Sequence, residues 1–291
     1  MASSHLFPQS FGESNRMKQF LSRTLLALVS AVVMSPAASA QTTFVVTPTS
    51  PGWGAASVNG VPLDHAPGYK HGSLMSNGVA KSDWYVTPEA LFGGREITIA
   101  DVAAVSFLTK KGTDHVVNVA DWYLNVYTKP FLGDVSSATW YGSRIGTEPY
   151  LAGNVVDLPA QWNLWTSETD GTNILKFFES TLGYFGSYTD PTWDVLKAAT
   201  SLESGAPFAG QKILYFSIQT GSATATGFTG QVDGLRIELM DGSVANINFE
   251  PFLVPSDAAA CKKDGWKSLF RADQSAFTNQ GDCVSYVNTG R

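Results

Sequence analysis

LRIELMDGSVANINF, residues 235–249, is the stretch of this sequence that predicts the fold class most directly. Its first five residues alternate apolar and charged side chains, as a strand with one buried face does. Asp241-Gly242 is a dipeptide typical of tight hairpin turns, and a second β-rich run follows it as far as Phe249. The stretch therefore predicts a β-hairpin.

Similar β-rich runs recur through residues 41–255, separated by Gly, Asn, Asp and Pro at the spacing of a sandwich or barrel. They cover residues 44–47, 82–86, 103–109, 122–127, 175–178 and 213–218. One short helix is predicted over residues 190–199, with Asp190 as its cap and Pro191 at its first position. Strands without alternating helices predict an all-β, antiparallel β-sandwich.

Residues 1–40 have the composition of an N-terminal extension and a secretory signal peptide. Lys18 and Arg23 precede an apolar run over residues 24–34, and Ala38-Ser39-Ala40 is a small-residue cleavage site. The apolar run is too short for the roughly 20 residues of a membrane-spanning helix. The sequence therefore predicts export with a mature start at Gln41. Translation could begin at Met1 or Met17.

The charge balance argues against a nucleic-acid partner. Removal of residues 1–40 takes away Arg16, Lys18, Arg23 and Glu13, which leaves 16 basic and 24 acidic side chains and a net charge near −8. Nucleic-acid binding depends on Lys and Arg that neutralise phosphates. No integral membrane segment is expected after signal removal.

Cys261 and Cys283 are the two cysteines of the chain. A pair at close range in an exported protein predicts a disulfide, whereas two thiols without a nearby histidine do not complete a zinc shell. Pro255 and the small or polar residues after it resemble a linker. We therefore expect a sandwich domain over residues 41–255 and a disulfide-bonded C-terminal appendage over residues 256–291.

Two parts of the sequence resemble known families. Residues 227–237 and 247–251 resemble the closing strands of jelly-roll domains in bacterial secreted proteins, including carbohydrate-binding modules with a V-D-x-hydrophobic-x-hydrophobic last strand. Residues 72–74 and 99–107 look like the opening of the same uncharacterised family. Residues 261–287 resemble a short C-terminal two-cysteine motif common to bacterial exported proteins. These resemblances imply a jelly-roll or concanavalin-like sandwich, export and a disulfide, and they imply no reaction.

Two neighbouring carboxylates are candidates for a catalytic site. Glu168 and Asp170 would share one face if their segment were a strand, and retaining glycosidases use two carboxyl groups. The concanavalin-like glucanases carry a pattern of the type E-x-D-x-x-E, and Asn173 stands here at its last carboxylate. Residues 170–173 fit a hairpin turn better. A polysaccharide hydrolase or lyase using Glu168, Asp170 or Glu148 stays an alternative.

Aromatic residues in polar turns predict a ligand site. Trp140, Tyr141 and Arg144 combine aromatic rings with a guanidinium, and Trp162 and Trp165 flank amide-bearing residues. A sugar presents an apolar C–H face to stack and hydroxyls to hydrogen-bond, so these five residues are the predicted glycan-binding residues.

The sequence after residue 40 offers one candidate metal ligand and three histidines. Asp233 follows a glycine-rich turn and is a candidate ligand of a structural calcium ion, although an Asx-type hydrogen bond competes with that interpretation. His65, His71 and His115 form no H-x-H or H-E-x-x-H motif, and we interpret them as loop histidines.

The resulting hypothesis is a secreted, non-catalytic protein that recognises an extracellular or cell-surface glycan and needs no cofactor. A structural or adhesion protein that binds another protein is the third alternative.

Overall fold

A computed structural model describes residues 40–54, 58–112, 121–128, 144–152, 155–179, 190–201, 205–221, 227–273 and 275–290. The predicted signal peptide, Trp140, Tyr141 and His115 lie outside these residues. The described part is mostly β-sheet with three α-helices, arranged as two sheets, which confirms the predicted all-β sandwich class.

Twelve strands form the two sheets. They are β1 (Gln41–Val46), β2 (Val58–Pro62), β3 (Gly72–Ser76), β4 (Asp83–Val86), β5 (Val102–Lys110), β6 (Trp122–Thr128), β7 (Arg144–Thr147), β8 (Asn163–Thr166), β9 (Phe178–Glu179), β10 (Ile213–Thr220), β11 (Gln231–Leu239) and β12 (Val244–Phe249). The helices are α1 (Pro88–Leu91), α2 (Trp193–Ala198) and α3 (Gln280–Thr289).

The larger sheet is centred on β11. Its path is β1-β12-β11-β3-β2, and β5 pairs with β11 and with β8. The second sheet has the order β4-β10-β6-β7-β9. The predicted hairpin is confirmed: β11 and β12 pair antiparallel, and Gly242 adopts a φ of 84° in the turn between them.

One strand pair departs from the antiparallel prediction. β1 pairs with β12 in parallel, with Gln41 opposite Val244 and Val46 opposite Phe249. A parallel pair needs a long connection, and here nearly the whole domain lies between the two strands. β1 takes the outer position at this end of the described sheet.

The core lies between the sheets and follows the period-two pattern of the strands. In β12, Ala245, Ile247 and Phe249 are buried in it, and in β1 the same side carries Phe44 and Val46. The largest fully buried side chains include Trp122, Trp165, Trp193, Phe107, Phe177 and Phe216. The alternate residues of β1 and β12 therefore lie on the outer face of the larger sheet.

The helix prediction was right in place and wrong in its cap. The helix α2 begins at Trp193 with Thr192 at the N-cap, whereas Asp190 is buried upstream of it. The sequence pattern predicted one helix, whereas the described part also contains α1 and α3.

The appendage has a small core of its own. The predicted Cys261–Cys283 disulfide is present, with the Cα atoms 5.8 Å apart. Both cysteines are fully buried, together with Leu269 and Phe277. α3 carries Cys283, and its C-cap, Gly290, adopts a φ of 72°.

The appendage joins the end of the sandwich segment through two contacts. Leu253 forms a parallel bridge with Leu269, and the rings of Phe252 and Phe270 lie 6.0 Å apart. These contacts fix residues 252–254 beside the last strand, where they form one wall of a groove.

Candidate functional site

A groove of about 470 Å³ lies on the outer face of the larger sheet. Its floor comes from the outward residues of β1 and β12, and its walls include the loop over residues 68–71 and residues 252–254. The lining residues are Gln41, Thr43, Val45, Gly68, Tyr69, Lys70, His71, Asn246, Asn248, Glu250, Phe252, Leu253 and Val254.

The parallel register builds the floor of the groove. Thr43 stands opposite Asn246 and Val45 opposite Asn248, and all four point away from the core because their neighbours point into it. From Gln41 to Val45 the floor extends roughly 13 Å, at about 3.3 Å per residue. The groove is therefore elongated along the strands.

The loop that forms the side of the groove is held in a fixed shape. Leu63 and His71 adopt positive φ values of 65° and 72°, and the Leu63 N–H donates to the His71 carbonyl at 2.8 Å. Within the loop, the Ala66 N–H donates to Asp233 Oδ2 at 3.1 Å. The loop is thus closed at its base and attached to β11 at its middle.

Tyr69 sits on Gly234 of β11. A Cβ atom built at Gly234 would lie 2.5 Å from Tyr69 Cε2, and Gly234 has a φ of 64°. The glycine is required both for this backbone conformation and for the close approach of the ring.

Asn248 and Glu250 are the most unusual polar pair in the groove. Asn248 Nδ2 donates to Glu250 Oε1 at 2.7 Å. Asn248 Oδ1 and Glu250 Oε2 are buried and have no hydrogen-bond partner among the residues that the structure describes. Since Glu250 is only 2% exposed, these two acceptors carry a desolvation cost that nothing in the described protein offsets.

Three ionisable side chains in and beneath the groove have shifted pKa values. Burial, reinforced by the charge of Asp233, raises the pKa of Glu250 to about 8. Burial also raises the pKa of Asp233 to about 7, although three backbone N–H groups oppose the shift. The pKa of His71 is lowered by burial and by Lys70 and His65, so its imidazole is favoured in the neutral form.

The three predicted glycan-binding residues that the structure describes, Arg144, Trp162 and Trp165, are not brought together. Trp165 is fully buried, and its indole donates to Thr109 Oγ1 at 2.7 Å, so it is a core residue without an accessible ring face. Trp162 is half-buried and donates to Asp64 Oδ1 at 3.3 Å. Arg144 begins β7 in the other sheet, where it pairs with Tyr127.

Trp162 lies on the same outer face of the sheet as the groove, because it bonds Asp64, which is attached to that face. The Asp64 carboxylate also accepts from Lys110 Nζ at 2.6 Å and from Gln231 Nε2 at 3.1 Å. Lys110 and Gln231 alternate with core residues of β5 and β11, and they therefore point outward. Trp162 does not line the groove itself.

The candidate catalytic carboxylates lie in a turn. Glu168 and Asp170 are exposed and follow the end of β8, so the strand geometry that would align them is absent. Asn173 is buried with a φ of 58°, and its amide bonds both the N–H and the carbonyl of Val156. The chain returns in parallel, through a bridge between Thr166 and Ile174, so the predicted hairpin at this turn was wrong.

Asp233 binds backbone groups of the protein itself. Its Oδ1 accepts from Gly234 and Phe249, and its Oδ2 accepts from Ala66, which leaves the carboxylate engaged by backbone donors. In the described part of the chain, no three His, Cys, Asp or Glu side chains are grouped as a metal site requires. Asp233 is therefore an internal hydrogen-bonding centre beneath the groove.

Sequence reasoning missed the groove residues Tyr69, Asn248 and Glu250. One sequence feature could have indicated them. In β12 the polar residues Asn246 and Asn248 alternate with apolar residues of the core. That pattern marks an outward face without showing that β1 and residues 252–254 enclose it.

No protein-family profile, curated protein or solved structure matches this chain. Among the described helices, none has both the length and the apolar composition needed to span a bilayer.

Proposed function

We propose that this chain is an exported, non-catalytic protein that binds an extracellular or cell-surface glycan in the groove over β1 and β12. The observation that carries the proposal is the unpartnered acceptor pair, Asn248 Oδ1 and Glu250 Oε2, in a groove also lined by the rings of Tyr69 and Phe252. A sugar chain supplies hydroxyl donors for such acceptors and apolar C–H faces for the rings.

The shape and composition of the groove support a chain-like ligand. A floor of roughly 13 Å is longer than one sugar ring, and it carries both amide and hydroxyl groups. Glu250 is the one carboxylate among the described lining residues, whereas glycoside hydrolysis ordinarily uses two. This composition favours binding over hydrolysis.

The finer fold and the location belong to the same proposal. The largely antiparallel pairing, with neighbours distant in sequence, supports a jelly-roll type of sandwich of the kind found in secreted carbohydrate-binding modules. The Cys261–Cys283 disulfide supports an oxidising compartment. Sequencing of the protein recovered outside the cell would test export, with Gln41 as the expected first residue.

A polysaccharide-retention screen tests the binding function. We expect the wild type to be retained on at least one polysaccharide and Asn248→Ala to lose at least tenfold in affinity for it. Asn59→Ala is the matched control, because Asn59 is an exposed residue of β2 outside the groove. Retention on no polymer, or equal affinity of Asn248→Ala and wild type, would overturn the proposal.

A further inference from the structure

We propose that the Asn248–Glu250 end of the groove receives a primary ammonium group, so that the ligand is a glycan containing free amino sugars. This inference rests on the proposed function and narrows its ligand class. It concerns the end of the groove formed by β12, Phe252 and the loop over residues 68–71.

An amine fits this site better than a hydroxyl does, because the two unpartnered acceptors need two hydrogen-bond donors. Asn248 Nδ2 is already used by Glu250 Oε1, so once Glu250 is ionised the pair offers two remaining acceptors, Asn248 Oδ1 and Glu250 Oε2. A hydroxyl donates one hydrogen bond and leaves one of these atoms unsatisfied. An ammonium group has three donors and no acceptor, and it can satisfy both.

The surrounding charges favour a cation at this position. In the described chain Glu250 forms no ion pair, and Asp233 is the charged group that acts on it most directly. The nearest basic side chain on β11, Arg236, is paired with Glu238 at 2.6 Å. From the loop, Lys70 is exposed, and His71 is favoured in its neutral form.

Binding of an ammonium group should change the protonation of Glu250 in a measurable way. With a pKa of about 8 in the free protein, this carboxyl is largely protonated at pH 7. A bound ammonium group favours the ionised form, so binding releases a proton from Glu250 to the buffer. While the ligand amine is protonated, affinity should therefore rise with pH, and it should fall once the pH exceeds the pKa of that amine.

Three tetrasaccharides with the same backbone provide the test. The probes are β-1,4-linked glucosamine tetrasaccharide, its fully N-acetylated form and cellotetraose, which differ only in the C2 substituent. Calorimetric titration at pH 6, where the amino groups of the ligand are protonated, should show at least tenfold tighter binding of the amine than of either neutral probe. Titrations in two buffers of different ionisation enthalpy should show proton release for the amine alone.

Two isosteric variants complete the design. Glu250→Gln should remove the preference for the amine together with the proton release. Glu96→Gln makes the same chemical change at an exposed position outside the groove and should keep both. Thermal melts establish that each variant is folded.

The possible outcomes separate the two proposals. Equal binding of all three probes, or an amine preference that survives Glu250→Gln, would overturn this inference and leave glycan binding intact. Failure to bind any of the three, with retention on a neutral polymer in the wider screen, would also overturn it. Failure on every polysaccharide would overturn the proposed function.

Discussion

Asp233 Oδ1 accepts a hydrogen bond from the backbone N–H of Phe249 at 3.1 Å, which joins the middle of β11 to the end of β12 directly beneath the groove. The same carboxyl also bonds Gly234 and Ala66. One buried side chain thus positions three features: the place in β11 where its pairing register with β5 shifts, the groove loop, and the strand that carries Asn248.

Replacement of Asp233 by alanine should be among the more destabilising single changes. Three buried backbone N–H groups would lose their acceptor, at about 1–3 kcal/mol each, so we expect a loss of at least about 3 kcal/mol in the free energy of unfolding. Urea denaturation measures it. Asp170→Ala, in an exposed turn, is the control and should change stability by less than about 0.5 kcal/mol. Similar stabilities of the two variants would contradict the role assigned to Asp233.

Gly234→Ala should damage both stability and the groove. The substitution imposes a positive φ on alanine, which costs about 1–2 kcal/mol, and its Cβ would collide with Tyr69 and Leu108. Gly93→Ala is a matched control, because Gly93 has a φ of 65° and open space around it. We expect Gly234→Ala to lose more unfolding free energy than Gly93→Ala and to weaken glycan retention, which the control should not. If both variants lost the same unfolding free energy and kept glycan retention, the contact of Tyr69 with Gly234 would not matter for stability or binding.

Stability should fall as the pH rises from about 4 to 8. Burial raises the pKa values of Asp121 and Asp233 to about 7 and that of Glu250 to about 8. The native state therefore holds these protons over a range in which the unfolded chain has released them, and each pH increase favours unfolding. We expect a lower Tm at pH 8.5 than at pH 5.5, at about 2–4 °C for each kcal/mol lost.

Glu250→Gln isolates one part of this pH dependence. The variant removes an ionisable group with a raised pKa, so the difference in Tm between pH 5.5 and pH 8.5 should become smaller. Asn59→Ala, which removes no ionisable group, should leave the difference unchanged. A wild-type Tm that rises with pH over this range would refute the assignment of these buried acids.

Reduction of the Cys261–Cys283 disulfide should loosen the appendage alone. The bridge closes a loop with a sequence separation of 22, and a loop of that size contributes roughly 3 kcal/mol in the chain-entropy model. In the double Cys→Ser variant, we expect faster hydrogen exchange in residues 261–290 and unchanged exchange in β10 and β11. Equal acceleration in those strands would show that the two cores unfold as one unit.

Local patterns in the sequence predicted the local structure well. The hairpin at residues 235–249 and the bounds of β12 follow from alternation and from the Asp241-Gly242 turn, which act over neighbouring residues. β2 was missed because Val58–Pro62 contains Asn, Gly and Pro, which β-propensity disfavours. Its strand conformation comes from pairing with β3, and Gly60 and Gly72 approach Pro251 too closely for any side chain.

The candidate site was harder to predict because its walls are distant in sequence. The sequence marked Trp162 and Trp165 as equivalent aromatics, yet the pleat of β8 buries Trp165 and leaves Leu164 exposed. Conversely, Asn248 and Glu250 lack any recognisable motif. Their significance depends on burial and on missing partners, which only the packed structure reveals.

The pairing of β1 with β12 also has a kinetic consequence. Gln41 meets Val244 at a sequence separation of 203, so this sheet edge forms one of the most non-local contacts in the domain. Contacts of this kind raise the contact order and slow folding, since a long loop must be closed before any pairing energy is gained. We expect β1 to dock late, after β12 is already formed on β11, and the ligand groove to be absent from every earlier folding intermediate.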